Sequence, residues 1–170
     1  HGSIAWSVIE RGGKLAVRVR DFEHPWIRTF GPIPYYDIDP AYGGPEYETS
    51  GAFGPNMLVD DIEVIAKAHE LCNRYTLDTI DTGMSIAFAM ECFENGLLSL
   101  EDTDGIDLRF GNGDAVIQMV EKIAKREDIG DVLADGLLPA AAKIGQGSVK
   151  FTVHAKGQAQ PMHEPRFKRG

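Results

Sequence analysis

Apolar residues return every three or four positions along two adjoining stretches in the middle of the chain. In the first, Ile65, Ala68, Cys72 and Tyr75 share one side while Glu63, Lys67 and Glu70 lie elsewhere, the spacing of an amphipathic helix. Asp60 or Asp61 caps its start. In the second, Ile86, Met90, Phe93 and Leu97 repeat at helical spacing, and Asn95-Gly96 closes the helix. Gly83, with Ser85, Ala87 and Ala89, leaves small residues where a neighbouring helix can approach. The run Asn73-Arg74-Tyr75-Thr76-Leu77-Asp78-Thr79 joins the two. A break between helices frees backbone N–H groups at the start of the second. The short polar side chains there (Asn73, Asp78, Thr79, Asp81, Thr82) either cap that helix or hydrogen-bond a polar ligand lying across it.

The flanks carry different patterns. Leu15, Val17 and Val19 alternate with polar neighbours, and Gly12-Gly13 before them is the turn of a β hairpin with Ser3–Ile9. Residues 21–45 are dense in proline and aromatics, which excludes a regular helix and predicts an ordered loop packed on the body or on a partner. His24 in this loop is a candidate ligand, or a hydrogen-bonded structural histidine. A short helix opens at Pro45-Glu46-Tyr47-Glu48-Thr49 and ends near Gly54-Pro55-Asn56. Its two carboxylates complement the helix dipole, a role that needs only one of them. Residues 101–107 form an acidic, solvated loop. Asp114 caps a helix running to Arg126, with Val116, Val120 and Ile123 inward. Breaks at Gly130 and Gly136–Pro139 make two short segments, and Val149–His154 is a strand. The expected fold is mainly α with minor β at the ends: residues 1–45 a β hairpin plus an aromatic, proline-rich loop, and residues 46–170 a helical domain.

Composition narrows the function classes. The chain has 170 residues and a formal net charge of −9, which argues against a phosphate-neutralising nucleic-acid surface. No apolar run is long enough for a membrane span. Cys72 and Cys92 stand in helical patterns without a disulfide framework, so a reducing cytoplasm is expected. The chain opens in apolar sequence without Met and stops without a closing element, and is expected to be a segment of a longer polypeptide.

Several chemistries find no support. The two cysteines are too far apart for a local thiolate metal site. The Gly111-Asn112-Gly113 turn lacks the further glycine of a nucleotide fingerprint, and no nucleophile elbow occurs. His69 stands one helical turn before Cys72, but nothing else suggests acyl transfer. The constellation left is Glu48, Cys72 and the break at Asn73–Thr79: a helix-start carboxylate suited to proton transfer, a soft thiol, and polar groups at a helix break.

Six blocks in order resemble the tungsten-dependent aldehyde ferredoxin oxidoreductases: PEYET at 45–49, LCNRYTLDTI at 71–80, AMECFENGLL at 89–98, LRFGN at 108–112, HAKG at 154–157 and PMHEPR at 161–166. The likeness runs from about Gly43 to Gly170, and the first forty residues match poorly. It implies that residues 46–170 are the cofactor-contacting first helical domain of a larger multidomain oxidoreductase. In that family a tungsten bis-pterin cofactor of the molybdopterin type sits beside a 4Fe-4S cluster, whose ligands are expected outside this segment. The family's pterin motif, D-x-x-G-L-(D/C)-x, falls on Asn73, Thr76, Leu77, Asp78 and Thr79. Leu77 and Asp78 match, while Asn73 replaces Asp and Thr76 replaces Gly. Asn73, Leu77, Asp78 and Thr79 are thereby implied as cofactor contacts. Glu48 falls on the proton-handling carboxylate near the metal, with Glu46 the alternative. Cys72 is a further metal-ligand candidate, by likeness to relatives that reduce aromatic thioesters.

The implied activity is oxidation of an aldehyde to a carboxylic acid with ferredoxin as electron acceptor. An aryl-CoA (benzoyl-CoA type) reductase subunit of the same family is the nearest alternative. A non-catalytic helical interaction module is the alternative of another class. The implied partners are an aldehyde or aryl thioester substrate, ferredoxin or electron-transfer subunits, and the remaining domains of the same polypeptide, in an oligomer.

Overall fold

The computed structural model describes the backbone of residues 4–11 and 14–21 and all of residues 42–162. It divides into two units, His1–Asp37 and Ile38–Gly170. In the first, β1 (Ile4–Arg11) and β2 (Lys14–Asp21) pair antiparallel, with Ile4 opposite Asp21 and Arg11 opposite Lys14, the hairpin that alternation anticipates. His24, most of the aromatic loop and the His163–Arg166 end of the last block lie outside the described residues.

The second unit is helical. Its elements are α1 (Tyr47–Phe53), α2 (Ile62–Tyr75), α3 (Thr79–Glu94), α4 (Gly113–Lys125), α5 (Ile129–Leu133) and α6 (Leu137–Ile144). Single 3-10 turns lie at Pro55–Met57 and Ser148–Phe151, and a small antiparallel hairpin pairs β3 (His154–Ala155) with β4 (Gln158–Ala159). The mainly helical fold class holds. No helix among the described residues is long and apolar enough to cross a membrane.

The centre is α3, which packs against α1, α2, α4 and α6, against both 3-10 turns and against β4. Every residue from Thr82 to Met90 is buried, so α3 is apolar all round and not one-faced. Leu97 lies beyond its end. Gly83 lets α1 come close: a Cβ there would stand 2.8 Å from the Ala52 Cβ. Around α3 the core is filled by Phe53, Met57, Leu108, Met119, Leu133 and Leu137, all nearly inaccessible to solvent.

Four local expectations are corrected. Asn112, not Asp114, caps α4: its Oδ1 accepts from Ala115 N, while Asp114 stands in the first turn. Gly130 lies inside α5 and breaks nothing. It is small because a Cβ would strike the Lys122 carbonyl group; the break falls at Arg126 and Asp128, both at positive φ. Pro139 lies inside the first turn of α6, where its missing N–H leaves no bond unmade. Val149–His154 is not one strand. Gly145 and Gly147 at positive φ turn the chain, and the buried Ser148 hydroxyl donates to the Ala141 carbonyl, winding the next residues into a 3-10 turn. The acidic loop exposes Glu101, Asp102 and Asp104 as expected, and folds round buried Thr103, whose hydroxyl donates to the Ile106 carbonyl.

Candidate functional site at the α2–α3 break

The break is shorter than the sequence suggests. Asn73, Arg74 and Tyr75 complete the last turn of α2, and only Thr76, Leu77 and Asp78 lie between the helices. Thr76 ends α2 by taking a left-handed conformation (φ 57, ψ 39), with its N–H donating to the Asn73 carbonyl. Leu77 N then donates to the Cys72 carbonyl at 2.8 Å, which closes a Schellman cap. The family motif places glycine where this geometry requires a left-handed residue.

Asp78 starts α3: its Oδ1 accepts from Asp81 N at 2.8 Å. Thr79 ties α1 to the same point, because its hydroxyl lies 2.8 Å from that of buried Thr49. Asp81 reaches the distant hairpin, its Oδ1 accepting from Ala159 N at 3.0 Å. On α1 the two glutamates divide their work. Glu46 is the N-cap, accepting from Glu48 N at 2.9 Å. Glu48 is half-buried and accepts the backbone N–H of Met162 at 2.6 Å.

Two cavities flank the break and share Asp78 and Asp81. One, of about 440 Å³, lies between these carboxylates, Ile80 and the segment bearing Gln158 and Gln160. The other, of about 280 Å³, runs from Thr76 and Leu77 toward Asp135 and Gly136. The first lies at the small end of the size range typical of small-molecule sites and the second just below it.

The residues singled out from sequence therefore separate. Leu77, Asp78 and Thr79 stand together at the break, and Thr49 on α1, the helix that carries Glu48, is bonded to it. Asn73 lies on the exposed outer face of α2, and its amide donates to His69 Nε2 at 2.9 Å. Cys72 is fully buried in the core. Burial pushes its thiol up to about 12; a hydrogen bond with Thr82 pulls the other way, and nearby Asp78 adds to the rise. His69 bonds to Asn73 and not to Cys72. Among the described residues no group of three or more His, Cys, Asp or Glu is placed to hold a metal ion. Gln158 and Gln160 escaped the sequence reading because the two-residue strand β4 and the residue after it carry no local signal. Asp81 was legible as a cap or a ligand contact, but its bond to Ala159 was not.

Comparison with known proteins places this architecture. A family model described as aldehyde ferredoxin oxidoreductase, domains 2 and 3, matches residues 27–170. The tungsten-containing aldehyde ferredoxin oxidoreductase of Pyrococcus horikoshii is 38% identical over 130 residues, covering 75% of this chain and 21% of that protein. The enzyme of the same name from Pyrococcus furiosus is 39% identical over 128 residues, with the same coverage. An aliphatic sulfonate oxidoreductase, WOR-like subunit, from Pyrococcus furiosus is 35% identical over 139 residues, covering 77% of this chain and 22% of its own. Among solved structures, the BamBC active-site complex of benzoyl-coenzyme A reductase with 1,5-dienoyl-CoA superposes at a TM-score of 0.61. It is 22% identical and covers 92% of this chain and 20% of that one, a likeness of fold. The chain spans about a fifth of the length of the curated relatives it matches.

Proposed function

We propose, from the premise that this chain belongs to the aldehyde ferredoxin oxidoreductase family, that it forms one wall of a tungstopterin site in an enzyme oxidising aldehydes to carboxylic acids. The observation that carries the reading is the pair of cavities sharing Asp78 and Asp81 at the α2–α3 break. A pterin presents ring N–H donors and carbonyl acceptors along its edge. The donor set fits: two carboxylates accept, two glutamine amides both donate and accept, and Leu77 supplies an apolar contact. Asp78 and Thr79 would hold the cofactor from the start of α3. Asn73 would reach it only by giving up His69, so its contact is the weakest of the four. When bound, the tungsten centre supplies the redox step, and the protein supplies position and electrostatics.

Glu48 is assigned the proton-carrying role. Its place on α1, tied to the break through Thr49 and Thr79, supports that assignment. Cys72 is assigned to core packing, because its side chain is fully buried among the helices and a buried free cysteine packs as a small hydrophobe. The thioester-reducing alternative is separated from this reading by Cys72→Ala, which loses tungsten if that sulfur is a ligand and keeps tungsten and aldehyde activity if it is not. The 4Fe-4S cluster, ferredoxin, the remaining domains, an oligomeric state and a reducing cytoplasm follow from the same reading.

The test is elemental analysis of the intact protein, wild type and Asp78→Ala, beside aldehyde-dependent reduction of ferredoxin. Tungsten and iron in the wild type, with tungsten several-fold lower in the variant, are expected. A correctly folded intact protein that never holds tungsten would leave only a helical interaction module.

A further inference from the structure

The segment Gln158–Met162 forms the outer wall of the larger cavity, yet little of its own structure holds it. The β3–β4 hairpin has only two residues in each strand, His154 facing Ala159 and Ala155 facing Gln158. So short a ribbon is not stable by itself. Past it, Pro161 has no N–H to give, and Gln160 N reaches only the Val153 carbonyl at 3.4 Å. The two remaining donors go to carboxylates on two different helices. Ala159 N donates to Asp81 Oδ1 on α3 at 3.0 Å, and Met162 N donates to Glu48 Oε2 on α1 at 2.6 Å. Bonds from N–H to an ionised carboxylate are the stronger kind.

A third residue makes room for this arrangement. A Cβ on Gly51, one turn along α1 from Glu48, would stand 2.5 Å from Met162 Cγ and 2.7 Å from its Cβ. These are not the free end of a flexible side chain, so the backbone of the segment would have to move.

We propose that Glu48 and Asp81 form a two-point clamp that fixes residues 158–162 as the outer wall of the cavity, with Gly51 the gap through which Met162 is seated. Both carboxylates are positioning residues in this role: they set where the Gln158 and Gln160 amides stand opposite Asp78. The clamp itself needs only the bonds described; what the cavity encloses rests on the function proposed above.

The test is hydrogen–deuterium exchange of the peptide covering residues 155–162 in the intact protein, with the α4 peptide as internal reference. Asp81→Ala and Glu48→Ala are expected to speed exchange at residues 155–162 by about ten- to a hundred-fold, the loss of one charge-assisted bond, while α4 is unchanged. Asp81→Asn and Glu48→Gln keep an acceptor oxygen and are expected to restore most of the protection. Gly51→Ala, which leaves both carboxylates in place, is expected to release the same peptide. Unaltered exchange in all variants overturns the proposal. So does acceleration that spreads equally to α4, or conservative variants as fast as the alanines. A tungsten-free protein with these exchange results would keep the clamp and remove the cofactor.

Discussion

Cys72 offers the sharpest test of how the break is built, because its two roles demand opposite protonation states. A tungsten ligand is a thiolate; a core residue is a thiol. The side chain is fully buried, and desolvation lifts its pKa from an ordinary 9.0 to about 12. At pH 8 an ordinary thiol is about one-tenth ionised, whereas one titrating near 12 is ionised in about one molecule in ten thousand. Ionisation alone therefore slows alkylation by about a thousand-fold. Cys92, raised to about 11 by burial and by nearby Glu91, should be slowed by about a hundred-fold.

The sign of the linked stability follows. Below pH 9 the thiol is protonated in both folded and unfolded chains, and its burial stabilises the fold in full. Above pH 9 the unfolded thiol ionises first, so stability falls by up to about 1.4 kcal/mol per pH unit until about pH 12. The total is on the order of 4 kcal/mol. The assay is iodoacetamide labelling of the native intact protein read by peptide mass spectrometry, repeated after unfolding, with tungsten content measured in Cys72→Ala. The reasoning fails if Cys72 labels at the rate of a free peptide thiol while the fold is intact. It fails equally if Cys72→Ala folds normally but loses its tungsten.

Other outcomes follow from single contacts. Thr76→Gly should stabilise the fold by about 1 kcal/mol in chemical denaturation, because a β-branched residue is held left-handed there; a destabilised variant would contradict that. Gly83→Ala gains helix propensity but meets the backbone and Cβ of Ala52. A net loss of about 1 kcal/mol is expected, partly recovered by adding Ala52→Gly, whereas a simple gain of stability would refute the close approach. Asn112→Ala should cost about 1 kcal/mol as a lost cap, while Asp114→Ala changes less than about 0.5 kcal/mol; the reverse order would return the cap to Asp114. Glu48→Gln should lower kcat by about a hundred-fold or more if it carries protons, while Glu46→Gln, altering only a cap, should leave kcat nearly intact.

Elements whose signal is local were legible in the sequence. Strict alternation over Leu15–Val19 gave the hairpin, and the face of Ile65, Ala68 and Cys72 gave α2. Legibility failed where the deciding contact is distant or is set by the backbone. The apolar alternation of Val149, Phe151 and Val153 suggested a strand, but no strand among the described residues pairs with it, and Val149 and Val153 stay exposed. The break was placed three residues early because Asn73–Tyr75 are polar enough for a turn, and only the left-handed twist at Thr76 fixes the true end. The exposed face on which Asn73 stands, bonded to His69, was not legible either, because a linear motif carries no face. The bonds from Asp81 to Ala159 and from Glu48 to Met162 cross 78 and 114 positions, beyond the reach of any periodicity.

Those long-range bonds change how substitutions at this site must be read. Asp78 both lines the two cavities and caps α3; Asp81 lines the same cavities and holds Ala159. An alanine at either position removes a cavity-facing carboxylate and a structural acceptor together. Lost tungsten in Asp78→Ala is thus evidence for a direct contact only if α3 still begins at Thr79. Asp78→Asn separates the two effects. Asparagine is as good an N-cap as aspartate, so the helix start is kept while the charge facing the cavity is lost. If binding of a pterin edge depends on that charge, Asp78→Asn loses tungsten with α3 intact. If it depends on the helix start alone, Asp78→Asn behaves as wild type and only the alanine fails.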